Sequence, residues 1–201
     1  MQQNNTLVQS FFISFKIIAV IWIFFLLDII IGIILQYDIT NFGIIPRTIT
    51  HLPGIILMPV LHVNIVHLGS NSMTLFVIIA MLFYIYPQIS KKVFIQSWIL
   101  TGTFVWIFAD LIGHRSGIHV GASGLVYSLV TFLFFIGIFS RQLVPLTLSI
   151  IVVVLYSSLF LGVIPMFVRY NVSWESHLIG ALVGLMIAWQ NKNSTIYQKT
   201  D

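Results

Sequence analysis

The chain contains no cysteine and very little charge: Asp, Glu, Lys and Arg together make up 7% of 201 residues. The first absence excludes a disulfide framework, a thiolate metal site and a cysteine nucleophile. The second excludes a soluble globular domain, in which about a quarter of residues are charged. Nine Lys and Arg against five Asp and Glu are scattered and build no basic stripe, so nucleic acid is not an expected partner. No HExxH occurs, which removes the ligand framework of a zinc peptidase, and no metal or organic cofactor is expected. What is present is apolar: 59% of residues fall in the AVILMFWYC class and the mean hydropathy is +1.05. That arithmetic excludes disorder and implies an integral membrane protein of roughly one domain. The net charge of +4 then reads as membrane topology.

Runs long enough to cross about 30 Å of hydrocarbon at about 1.5 Å per residue occur near 11–35, 72–86, 93–112, 122–139, 143–164 and 176–189. The expectation is an all-α, polytopic bundle of six transmembrane helices, a single domain over 1–201. Met1 to Ser10 carries no positive charge and no small-residue cleavage site follows, so the first span is expected to serve as its own targeting signal. The second and sixth runs are short, as if they begin inside protein or a water-filled cavity. Lys16, Lys91, Lys92, Arg141, Lys192 and Lys199 fall on one side of this layout, and Arg47, Arg115 and Arg169 on the other. Both termini are therefore expected in the cytoplasm, with the fourth and sixth helices entering from the outer face. The segment 36–70 interleaves apolar residues with Pro46, Pro53 and Pro59, and reads as an outer loop half-sunk in the interface. No internal repeat stands out, which weighs against an inverted-repeat transporter.

Polar groups at membrane depth are costly, so each is a candidate for function. His67 and Asn71, four apart, share a helical face, with His62 upstream. Imidazole and amide N–H groups can stabilise an oxyanion; taken alone, such groups more often merely satisfy the backbone of a sunken loop. Gly121-Ala122-Ser123-Gly124, with Tyr127 one turn on, sets a serine between glycines where a loop becomes a helix. There the serine N–H is not yet used by the helix, which suits a nucleophile, although a small-residue packing face explains the same pattern. His177, Gly180 and Gly184 form one stripe, and the two glycines make a GxxxG contact face. Ser123 and His177 head two helices entering from the same side, so they can meet at similar depth. A neutral histidine is the usual base for an otherwise weak serine nucleophile.

This ordered set resembles the rhomboid intramembrane serine proteases: His62, His67 and Asn71, then Gly121-Ala122-Ser123-Gly124 with Tyr127, then His177 with Gly180 and Gly184. The GIIPR stretch at 43–47 is similar to the loop entry of some bacterial members. The resemblance implies a dyad in which Ser123 attacks the scissile carbonyl and His177 is first base, then acid. It also implies that Tyr127 packs on the His177 ring, that the Ser123 N–H, His67 and Asn71 bind the oxyanion, and that His62 lines the cavity. Substrates would be transmembrane proteins with small residues at the cleavage point, met in a bacterial inner membrane among its lipids. Nothing in these motifs bears on oligomeric state. One departure stands out: where many relatives carry Trp-Arg, this chain has Pro53-Gly54, which puts the anchoring of the outer loop in question.

Other readings compete. Asp28 and Asp110 invite an aspartyl protease, but the GxGD pattern is missing around Asp110, for which a partner in His114 or Arg115 is expected. His114 and His119 read as loop polar residues, and Glu175 could orient His177. A catalytically silent relative that binds transmembrane clients would usually lack the serine or the histidine. A proton-relay transporter would leave the Gly-x-Ser-Gly helix start without a purpose.

Overall fold

The computed structural model describes residues 6–111, 117–140, 146–147, 150–151, 154, 156–167 and 172–192, and is all-α as expected. Helix α1 spans Leu7–Leu35, and a single turn, α2, Gly54–Leu57, lies in the loop after it. Then come α3, Ile65–Ile85, α4, Ser90–Phe108, α5, Ser123–Ser140, and α6, Trp174–Asn191. By length and composition α1, α3 and α5 can each cross a membrane. The expected fifth span, 143–164, is described only in part, and its later portion is a 3-10 segment, Ser157–Val163. Arg141, Arg169, Lys199, His114 and Arg115 also lie outside them.

Helix α1 is inside-out by the standards of a soluble protein. Its buried residues are Ser10, Ser14 and Ile21, while Phe12, Phe15, Ile23, Leu26 and Ile33 are exposed. Lipid tails solvate that apolar surface, and small residues let helices approach. A capping box between Thr6 and Gln9 starts α1, and Trp22 Nε1–H donates to Ser72 Oγ (3.1 Å) to tie it to α3.

Helix α3 begins at Ile65 and not near residue 72, because Asn64 Oδ1 caps the His67 N–H at 2.8 Å. His67 and Asn71 therefore sit within its first two turns, and the helix is 21 residues long. Helix α4 stops at Phe108, short of the expected 112: Ala109 is extended and Asp110 has φ +59°. The Arg47 guanidinium meets the carbonyls of Ile107 (3.2 Å) and Ala109 (2.7 Å) at that end.

This contact also answers the question of loop anchoring. Trp106 Nε1–H donates to Thr48 O (3.0 Å) and Trp98 Nε1–H to Ile56 O (2.9 Å), so α4 holds the outer loop along its length. Gly54 sits where the loop crosses itself, and a Cβ there would lie 2.6 Å from the Gly43 carbonyl carbon. The Pro-Gly pair is thus a backbone crossing, and Arg47 with the two tryptophans does the anchoring.

Leu68, Leu75, Leu125, Leu129, Phe132, Val183 and Ile187 form the core. The most extensive helix contact joins α5 and α6. Its closeness comes from two missing side chains: a Cβ at Gly180 would collide with the Gly124 carbonyl, and one at Gly184 with the Ser128 carbonyl. The glycine stripe therefore faces the helix that Ser123 begins.

Candidate active site

The first turns of α3, α5 and α6 meet the end of α4 and the outer loop at one end of the bundle. Ser123 is the first residue of α5, so its N–H has no partner within the helix, and its side chain is half-buried. His177 lies in the first turn of α6 and is buried. The close α5–α6 approach brings His177 Nε2 to 3.0 Å from Ser123 Oγ.

The other face of that imidazole is also committed. His177 Nδ1 lies 2.9 Å from the Gly162 carbonyl oxygen, which can only accept. Nδ1 therefore carries the proton, and Nε2 presents a lone pair to the Ser123 hydroxyl. The Tyr127 ring stacks on the imidazole with centroids 4.3 Å apart and planes 14° apart. A Cβ at Gly162 would run into the Tyr127 hydroxyl, so glycine is required for its carbonyl to reach His177. Sequence reasoning missed Gly162, because nothing local marks a glycine fifteen positions away as the histidine's partner.

On the other side of Ser123, His62 and Asn71 form a pair. Asn71 Nδ2–H donates to His62 Nε2 (3.1 Å), which also receives the Ala122 N–H at 3.4 Å. An acceptor Nε2 means a neutral ring, and burial, then the neighbouring His67, lowers the His62 pKa to about 4, with the Val60 carbonyl opposing. One Asn71 N–H remains for another acceptor. Gly121, at φ +108°, packs its Cα against the His67 ring, which stands edge-on to His62 at 5.2 Å. Gly124 packs against Thr101 and the Ser176 carbonyl. The arrangement thus gathers a serine hydroxyl with an oriented base, an unused helix-start N–H, and the His67 and Asn71 side chains.

Other candidates take different places. Asp28 Oδ1 accepts the Ile39 N–H (2.9 Å) and holds the loop after α1. Glu175 does not orient His177: its Oε1 accepts the Asp110 N–H at 3.2 Å. Asp110 itself faces His119, with Oδ1 3.3 Å from Nε2; the expected partners His114 and Arg115 lie outside the described residues. His119, read as a loop polar residue, is buried.

A bundle of apolar helices with a serine–histidine pair at one end defines a polytopic membrane protein built around a buried polar site. A family model of the rhomboid domain matches residues 49–193. Uncharacterized proteins of Mycobacterium tuberculosis and Mycobacterium bovis are each 32% identical over 152 residues, covering 73% of this chain and 62% of theirs. One of Mycobacterium leprae is 31% identical over 159 residues, 77% of this chain and 62% of its own. The chain spans about 62% of the length of these relatives. It belongs to the rhomboid family, an integral membrane family whose members are usually intramembrane serine proteases.

Proposed function

We propose that this protein is an intramembrane serine endopeptidase cutting transmembrane or membrane-adjacent segments of other membrane proteins. The observation that carries the reading is the 3.0 Å contact between Ser123 Oγ and His177 Nε2, on an imidazole whose Nδ1 proton is engaged by Gly162. In this reading His177 Nε2 takes the hydroxyl proton as Ser123 Oγ attacks the scissile carbonyl. The Ser123 N–H, with His67 and Asn71, stabilises the oxyanion. His177 then gives its proton to the leaving amine, and a water activated by the same Nε2 releases the acyl group. The Gly162 carbonyl takes the orienting place that a carboxylate fills in a triad. No metal or cofactor is invoked. Substrates would carry small residues at the cleaved bond, in a helix that unwinds easily.

Both termini would be cytoplasmic in a bacterial inner membrane, with the site near the outer face. Because no native cysteine exists, a thiol introduced at Arg47 should react with impermeant reagents on intact cells and one at Lys92 should not. The decisive experiment is fluorophosphonate labelling in detergent or liposomes, beside cleavage of a model transmembrane substrate. Labelling that disappears in Ser123→Ala is the expected result. Client binding with neither labelling nor cleavage would instead make this a silent member of the family.

A further inference from the structure

A second cluster of buried polar side chains lies beside the dyad and is not used by it. Its members come from the end of α4, the segment before α5 and the first turn of α6. His119 Nδ1 lies 2.9 Å from Ser173 Oγ and 3.2 Å from Ser176 Oγ, and the two hydroxyls are 2.8 Å apart. Ser173 caps α6, its Oγ accepting the Ser176 N–H at 3.1 Å. On its far side His119 Nε2 meets Asp110 Oδ1 at 3.3 Å, and the Asp110 N–H donates to Glu175 Oε1 at 3.2 Å. Helix α6 thus reaches Asp110 by a hydrogen bond to Glu175, and its serines hold His119, whose Nε2 lies at charge-contact distance from Asp110.

Proton placement on this ring has a consistent solution. Nδ1 accepts from the Ser173 hydroxyl, Ser173 Oγ accepts from the Ser176 N–H and hydroxyl, and Nε2–H faces the Asp110 carboxylate at 3.3 Å as a charge contact without the alignment of a hydrogen bond. That pattern needs a neutral imidazole. Burial lowers the His119 pKa, against the opposing pull of Asp110 and Glu175. A main-chain bridge adds a further tie, since His119 and Ile44 exchange N–H···O bonds of 2.7 and 3.0 Å.

The placement of the ring matters because of what it adjoins. His119 precedes Ser123 by four residues, and Ser176 immediately precedes His177. The glycines of α6 fix how close its axis lies to α5, but smooth backbone surfaces do little to fix how far it slides or turns. Only a directional contact between the start of α6 and the start of α5 can do that, and the ring is one.

We propose that His119 is a positioning residue for the dyad: by holding Ser173 and Ser176 from the segment that leads into α5, it sets the axial register of α6 and so the place of His177 Nε2 relative to Ser123 Oγ. The inference rests on the function proposed above, since register matters only if the pair reacts. Misplacement by about an ångström can cost about 10²-fold in rate.

Two substitutions separate this role from general packing. His119→Asn offers its amide oxygen where Nδ1 stood and keeps the serine contact. His119→Gln reaches toward Asp110 and loses the serines. In the full chain in liposomes, His119→Gln is expected to lower kcat and the rate of Ser123 labelling by about tenfold or more, with KM and melting temperature near wild type. His119→Asn should stay within about threefold of wild type. Equal losses in both variants, or a loss carried by KM or following thermal stability, would overturn the assignment. If His119→Gln does not fold, the double variant Ser173→Gly with Ser176→Ala, which also removes the serine contact and leaves a residue tolerated at a helix start, is measured in its place, with the same fall in kcat expected and an unchanged kcat overturning it. Wild-type protein that neither labels nor cleaves would overturn the proposed function and this inference together. An active wild type matched by His119→Gln would overturn this inference alone.

Discussion

Two serine–histidine pairs stand at the same end of the bundle, and they differ in almost everything except distance. Ser123 and His177 are 3.0 Å apart, Ser176 and His119 3.2 Å. The second pair even has a carboxylate, Asp110, on the far ring nitrogen, which the first lacks. By residue type it looks more like a hydrolase triad than the dyad does. Yet Ser176 is 5% exposed, its N–H is consumed by the Ser173 cap, and its hydroxyl is shared between Ser173 and His119. Ser123 is half-buried, and its N–H has no helical partner. In the proposed function, the nucleophile is therefore distinguished less by the company of a base and an acid than by access and an unused donor beside it.

The largest expected effect tests that contrast directly. Ser123→Ala and His177→Ala should each reduce cleavage of a model transmembrane substrate to background, and the double variant should be no worse, because the two act as a unit. Ser176→Ala should lose less than about tenfold, since Ser173 Oγ still reaches His119 at 2.9 Å. Equal inactivation of all three would erase the distinction between the pairs.

Next in size is Gly184→Leu, whose side chain would drive into the Ser128 carbonyl and part α5 from α6. A loss of about 10²-fold in rate is expected, together with a lower melting temperature. Asn71→Ala should cost at most about 10²-fold, in kcat more than in KM, as befits an oxyanion donor; a change confined to KM would make it a substrate contact. Gly162→Ala should cost about tenfold by moving the carbonyl that orients His177, and single-turnover kinetics would show whether the loss lies in the chemical step.

The smallest effect concerns acid stability. His62 is held neutral with a pKa of about 4 against 6.5 for a free imidazole, and His119 is shifted in the same direction. The unfolded chain thus takes up protons first as pH falls, so stability is full above about 6.5 and declines toward about 4. His62→Asn should flatten that decline in thermal melts across this range. An unchanged slope would place the acid sensitivity elsewhere.

Much of this site could be read from sequence because a polar residue in an apolar chain is conspicuous. The proximity of Ser123 and His177 followed from small residues at helical spacing on two helices entering from one side. Helix boundaries were less legible. Hydropathy placed the second span near residue 72, since the polar run from His62 to Asn71 masks a helix that Asn64 starts by capping. His119 reads in the sequence as a loop residue, because its partners Asp110, Ser173 and Ser176 are distant in sequence on both sides. Arg47, Trp98 and Trp106 likewise gain meaning only once the outer loop lies along α4.

One consequence of the bare contact at Gly180 and Gly184 is mechanical. Where helices touch through side chains, rotamer changes can open a gap of several ångströms without disturbing either backbone. Where they touch backbone to backbone, no such slack exists, and α5 and α6 cannot open a gap between them, whatever sliding their faces allow. In the function proposed above, a polypeptide substrate would therefore have to part a different seam, one lined by deformable side chains, with the pair of helices carrying Ser123 and His177 as the fixed anvil against which it is pressed.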